Sequence, residues 1–109
     1  MTTVEVFRQS GCIVGFEASG HTGYAEEGAD IVCSAVSALT TAAVNGLTDI
    51  LHLPVAVDSS DGRLYCMLGE DVAGTELEKA GILFETMVLG LSNIALTYGD
   101  YINIAEREV

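Results

Sequence analysis

Gly20-His-Thr-Gly-Tyr-Ala-Glu-Glu-Gly-Ala-Asp-Ile-Val-Cys-Ser-Ala-Val-Ser37 is the stretch in which the chain changes its hydrophobic period. Upstream, segments 2–8 and Cys12–Ser19 carry the period-two patterning of strands, separated by a Gln9-Ser10-Gly11 turn. Downstream, Ile31, Ala35, Leu39, Ala42, Gly46, Leu47 and Ile50 recur at helical spacing and predict one apolar stripe over 31–50. Between them lies a loop whose Gly20, Gly23 and Gly28 permit sharp bends, and it carries His21. Cys33 follows at the start of the predicted helix. With Asp30 as N-cap, Cys33 takes the third helical position, where free N–H groups and the helix dipole favour an anion. An imidazole beside a thiol favoured as thiolate is what cysteine nucleophiles need. The same pair also occurs in chains whose cysteine only packs.

The full string narrows the choice. Gly-His-Thr-Gly-Tyr-Ala, followed by Gly-Ala-Asp-Ile-Val-Cys-Ser-Ala-Val-Ser, resembles the signature of the bacterial ribosomal-processing cysteine proteases (Prp). The resemblance extends over essentially all 109 residues. Small residues follow the His and the Cys in that family, and Thr22 and Ser34 are polar variants of those positions. The resemblance implies a catalytic dyad of His21 and Cys33. It also implies a narrow substrate, the short N-terminal extension of the large-subunit ribosomal protein numbered twenty-seven, cut beside paired aromatic residues. Asp30 has two open roles, helix cap or orienter of His21. Ser37, one turn beyond Cys33, is a candidate hydrogen-bonding neighbour or a plain helix-face serine. Tyr24 is a candidate wall of an apolar substrate groove. Gly20 is a candidate supporting residue: the glycines between positions 20 and 28 suggest a loop that reorders on substrate, so Gly20→Ala is expected to impair turnover more than stability.

Composition sets the remaining limits. A chain of 109 residues suits a single domain, 1–109. Half the residues are hydrophobic and the mean hydropathy is +0.42, which suggests apolar surface buried against a second copy, a homodimer. No apolar run reads as long enough to cross a bilayer, and no basic, apolar leader opens the sequence; the expectation is a cytoplasmic protein without membrane contact. Sixteen acidic residues against Arg8, Arg63, Lys79 and Arg107 give a net charge of −12. That balance argues against direct nucleic-acid binding and would steer a basic ribosomal protein toward the chain. Cys12, Cys33 and Cys66 are widely spaced with no Cys-x-x-Cys pair. Neither a structural zinc site nor a disulfide framework is indicated, and no metal or cofactor is expected. Cys12 and Cys66 read as packing residues.

Beyond the first helix, Pro54 starts a short strand over 55–57, 58–62 is a turn, and Arg63–Leu68 is the return strand. A loop over 69–74 leads to a second helix over 75–97. Its stripe of Leu77, Ala80, Phe84, Met87, Val88, Leu91, Ile94 and Ala95 is broadened by Ile82, Leu83, Leu89 and Leu96. A strand over 101–106 closes the chain. The order ββαββαβ predicts an α+β fold, a mainly antiparallel sheet of about five strands with both helices on one face. His52 reads as a capping or surface residue. Two other functions fit the residues: a non-catalytic dimeric ribosome-assembly factor that keeps the motif for packing, and a thiol redox sensor, which lacks a nearby resolving cysteine.

Overall fold

The structure is a computed structural model that describes residues 1–20 and 27–109. Its elements are β1 (Thr2–Gln9), β2 (Cys12–Ser19), α1 (Glu27–Asn45) with a π-helical continuation (Gly46–Ile50), β3 (Val55–Ser60), β4 (Arg63–Leu68), α2 (Gly74–Tyr98) and β5 (Ile102–Glu108). The strands form one sheet in the order β3-β4-β2-β1-β5. Among the described residues only β1 and β5 pair in parallel; the other three pairs of neighbours are antiparallel. Each helix is therefore a crossover between parallel strands, α1 from β2 to β3 and α2 from β4 to β5. The second crossover reverses both the strand direction and the direction of sideways shift. With the usual right-handed connection, both helices fall on the same face. The expected ββαββαβ architecture holds.

The covered face is set by strand parity. Val4, Val6, Phe16 and Cys66 have no exposed surface, and Ala18, Leu68 and Ile102 complete the layer. The helices press Val32, Val36, Leu47, Ala80, Phe84 and Leu91 onto it. Phe16 and Phe84 meet edge-to-face at 6.2 Å and 77°, joining β2 to α2. The helices approach each other through glycine. A Cβ on Gly46 would lie 2.8 Å from Leu83, and one on Gly90 3.1 Å from Leu39. On the opposite face Phe7 is buried beneath Arg107, whose guanidinium stands 4.8 Å over its ring, and beside Tyr65.

Several expectations change. Helix α1 begins at Glu27, not near Ile31, so Asp30 is its fourth residue and not its N-cap. The buried stripe of α1 is Val32, Val36, Thr40 and Ala43, one position round from the predicted Ile31, Ala35, Leu39 and Ala42; Leu47 of the π turn is buried as expected, and Ile31 and Ile50 are exposed. Thr40 is buried because its hydroxyl donates to the Val36 carbonyl at 2.8 Å, which leaves its methyl for the core. The wider π turn, closed by Leu51 N–H to Gly46 O, rotates Ile50 outward. Strand β3 runs on through Ser60 because Asp61-Gly62 alone closes a two-residue hairpin. Cys12 is exposed, whereas Cys66 is a core residue. Ile31–Ile50 and Gly74–Tyr98 are long and apolar enough to span a bilayer, each with mean hydropathy 1.5, contrary to the reading of the sequence. In this fold each lays a buried stripe across the sheet.

Candidate active site

Cys33 is the seventh residue of α1, on its second turn, and is partly buried. Its Sγ lies 3.7 Å from the Oγ1 of Thr2, the first residue of β1. The cysteine opens onto a cavity of about 360 Å³ between α1, the end of β2 and the β3–β4 hairpin. Along α1 the wall continues through Val36, Ser37, Thr40, Thr41 and Val44. These positions share a face because the helix repeats every three to four residues. Ser59, Ser60 and Leu64 face them from the hairpin, Ala18 and Ser19 come from β2, and Gly20 follows directly after it. Among the described residues, the lining combines hydroxyl groups and Arg63 with the aliphatic side chains of Ala18, Val36, Val44 and Leu64.

Gly20 makes the turn into the motif loop. It has φ +87°, its N–H donates to the Gly62 carbonyl at 3.0 Å, and a Cβ would sit 2.6 Å from the Met1 carbonyl. Only glycine meets both the left-handed backbone and the close approach. The strand end, the hairpin turn and the chain start are thus locked together, and Gly20 lines the same cavity as Cys33. His21 is its covalent neighbour. His21 and Tyr24 lie outside the described residues, as does the side chain of Asp30, so of the sequence-predicted site the structure brings together Gly20, Cys33 and Ser37. Ser37 is exposed on the cavity wall one turn from Cys33. His52 is exposed beyond the π turn and takes no part in the cavity.

The helix-start argument for Cys33 is corrected by the earlier start of α1. A residue on the second turn has its N–H directed to the carbonyl four residues back, and the dipole's effect is concentrated in the first turn. The Cys33 N–H is therefore not a free oxyanion donor. Cys66 contrasts with it: burial without a charged partner pushes that thiol up to about 11. It is inert by environment, and Cys12 is distant in the fold from the Cys33 cavity, on the rim of a second one beside α2.

Residues 1–103 match the family described as Cysteine protease Prp. The chain belongs to the Prp family of ribosomal-processing cysteine proteases. The ribosomal processing cysteine protease Prp of Bacillus subtilis (strain 168) is 31% identical over 94 residues, covering 84% of each protein. Among solved structures, the essential ribosomal processing protease Prp from S. aureus, in complex with a substrate peptide, superposes with a TM-score of 0.86 at 23% identity. That match covers 98% of this chain and all of the other. SMU.848 from Streptococcus mutans gives 0.80 at 29% identity, covering 100% of this chain and 96% of its own. At these identities the S. aureus likeness speaks to the fold, and the family assignment rests on the sequence matches.

For a Prp-family site, sequence reasoning missed Thr2 and the Ser59–Ser60 edge of the hairpin. Thr2 was legible in part: it has the same parity as Val4 and Val6, so an inward side chain follows from the alternation. What it would face depends on how the crossover helix lies on the sheet, and no local pattern encodes that.

Proposed function

We propose that the chain is a cysteine endopeptidase that removes the short N-terminal extension of a bacterial ribosomal protein, large-subunit protein twenty-seven, by a Cys33–His21 dyad. The observation that carries this reading is a thiol from a Prp-family motif, partly exposed at one end of a cavity along a helix, with the residue preceding His21 in the same cavity wall. His21 takes the thiol proton, Sγ attacks the scissile carbonyl, and His21 returns the proton to the leaving amine. Water then cleaves the thioester. Because the Cys33 N–H is spent within α1, oxyanion donors are sought among the cavity-wall hydroxyls and residues 21–26. The −12 charge favours capture of a basic substrate, and specificity comes from the groove.

The working form is proposed to be a homodimer in the cytoplasm, where ribosomal proteins are matured. Ile82 and Leu89 are 68% and 64% exposed on α2 and border the second cavity, and Leu96 is exposed further along the same helix. An apolar surface of this kind is commonly covered in the assembled protein. The test of function is incubation with the extended ribosomal protein and, separately, with an unrelated unfolded protein, followed by mapping of products by mass. One cut in the extension is expected, abolished by alanine in place of its aromatic residues. Cuts at many positions in both proteins would identify a general protease and end the processing reading.

A further inference from the structure

Thr2 points to the helix-covered side of the sheet and is 5% exposed. A buried hydroxyl requires a partner, and here the partner is the Cys33 sulfur at 3.7 Å, with either atom able to donate. The main chain carrying it is fixed on both sides. Thr2 N–H donates to the Tyr101 carbonyl at 2.9 Å, and the preceding Met1 carbonyl is packed against Gly20. A β-branched side chain has few χ1 choices, so the hydroxyl is set beside the sulfur before substrate arrives.

We infer that the Thr2 hydroxyl holds the Cys33 thiolate by donating a hydrogen bond to it, an inference that rests on Cys33 being the nucleophile. While sulfur keeps its proton, the S–H and O–H can each donate. Once the proton passes to His21, only the Thr2 hydroxyl of this pair can donate, and the bond gains strength from the charge. The bond fades again when sulfur becomes part of the neutral thioester. Its effect is thus to raise the thiolate fraction near neutral pH while tempering the nucleophilicity of that thiolate. It supplies what the second-turn position of Cys33 does not, a local donor where the helix dipole has weakened. The other ionisable groups at this site are few. Arg63 on β4 lines the cavity but is paired with Glu17 at 2.7 Å and Asp58 at 2.9 Å. Asp30 lies three residues before Cys33 on α1, and His21 follows Gly20. From β1, β2 and β3, no carboxylate lines the cavity among the described residues.

The experiment compares Thr2→Val, which keeps the shape without the hydroxyl, with Thr2→Ser, which keeps the hydroxyl. Both are made in a Cys12→Ser background so that the exposed second thiol does not react. Iodoacetamide alkylation of Cys33 is followed by mass from pH 5 to 10, with thermal melting as the control for folding. At pH 7, Thr2→Val is expected to react about three- to tenfold more slowly, since loss of thiolate outweighs the more basic sulfur's greater nucleophilicity. At pH 10 it should react as fast as the parent or faster, so the two pH–rate curves cross. Thr2→Ser should stay within about twofold of the parent throughout. In cleavage, Thr2→Val should lower kcat by a similar factor and leave KM within about twofold. Coincident curves, or a slowing by one constant factor at every pH, would overturn the inference. The alkylation readout does not need turnover. A Cys33→Ala protein that still cleaves substrate would instead overturn the nucleophile assignment, so the two failures are distinguishable.

Discussion

Replacing Gly20 by alanine separates two physical costs that the fold imposes at one position. At φ +87° an L-residue is strained, by about 1–2 kcal/mol for the left-handed region. The added Cβ also meets the Met1 carbonyl at 2.6 Å, a backbone atom that cannot rotate away, so β1's first residues must move. Gly11 provides the control: its φ is +85°, yet nothing lies within 4 Å of a Cβ built there. Gly11→Ala therefore measures the φ cost alone, and Gly20→Ala measures it together with the contact. The expected loss is about 1–2 kcal/mol at Gly11 and at least about 2–3 kcal/mol at Gly20. At about 4–8 °C per kcal/mol, calorimetry should find Gly20→Ala melting some 10 °C or more below the parent and clearly below Gly11→Ala. Because Met1 precedes Thr2, the displacement also reaches the sulfur's partner, and turnover falls with stability. Gly20 thus acts as a structural lock, and a large loss of stability is expected beside the loss of turnover that the sequence reading emphasises. Equal melting of the two variants would refute the close approach, and a parent-like Gly20→Ala would refute the backbone geometry as well.

His21→Ala should lower turnover by orders of magnitude and slow Cys33 alkylation near pH 7; unchanged rates for both would place the proton acceptor elsewhere. The Cys66 thiol, pushed from 9.0 to about 11 by burial, keeps its proton in the folded state after the unfolded chain has lost it. Stability is therefore fully present below pH 9 and declines toward pH 11, by about 2–3 kcal/mol from this group. Denaturant melts should show that decline in the parent and a shallower one in Cys66→Val; parallel curves would contradict it. Sedimentation at micromolar concentration should give twice the chain mass, and Ile82→Glu with Leu89→Glu should give one chain mass with the melt of the fold retained. A parent sedimenting as one chain would exclude the dimer.

Local signals carried much of this molecule. The Cys12–Ser19 and Arg63–Leu68 strands follow from alternation between turns, and both helices follow from their periodicity. Which face of α1 turns inward did not, because Ile31, Ala35 and Leu39 make as regular a stripe as Val32, Val36 and Thr40. Hydropathy favours the first, while the back-bonded Thr40 hydroxyl and packing on the sheet select the second. The sequence puts the helix start late for a related reason: Asp30 is a preferred cap residue, but Glu27 and Gly28 already lie in helix. Cys33 and Gly20, both within the motif, line one cavity. Thr2 is 31 residues from Cys33 in sequence, and only the sheet and the crossover bring them together.

The most direct test of the central claim is a trap. A peptide with the substrate extension's sequence, ending in a chloromethyl ketone, alkylates the nucleophile that its own side chains have positioned. Peptide mapping is predicted to find one adduct, on Cys33, formed far more slowly in His21→Ala and not at all in Cys33→Ala, with Cys12 and Cys66 unmodified at the same dose. An adduct on Cys12, or equal labelling by a scrambled peptide, would contradict a processing protease built around Cys33.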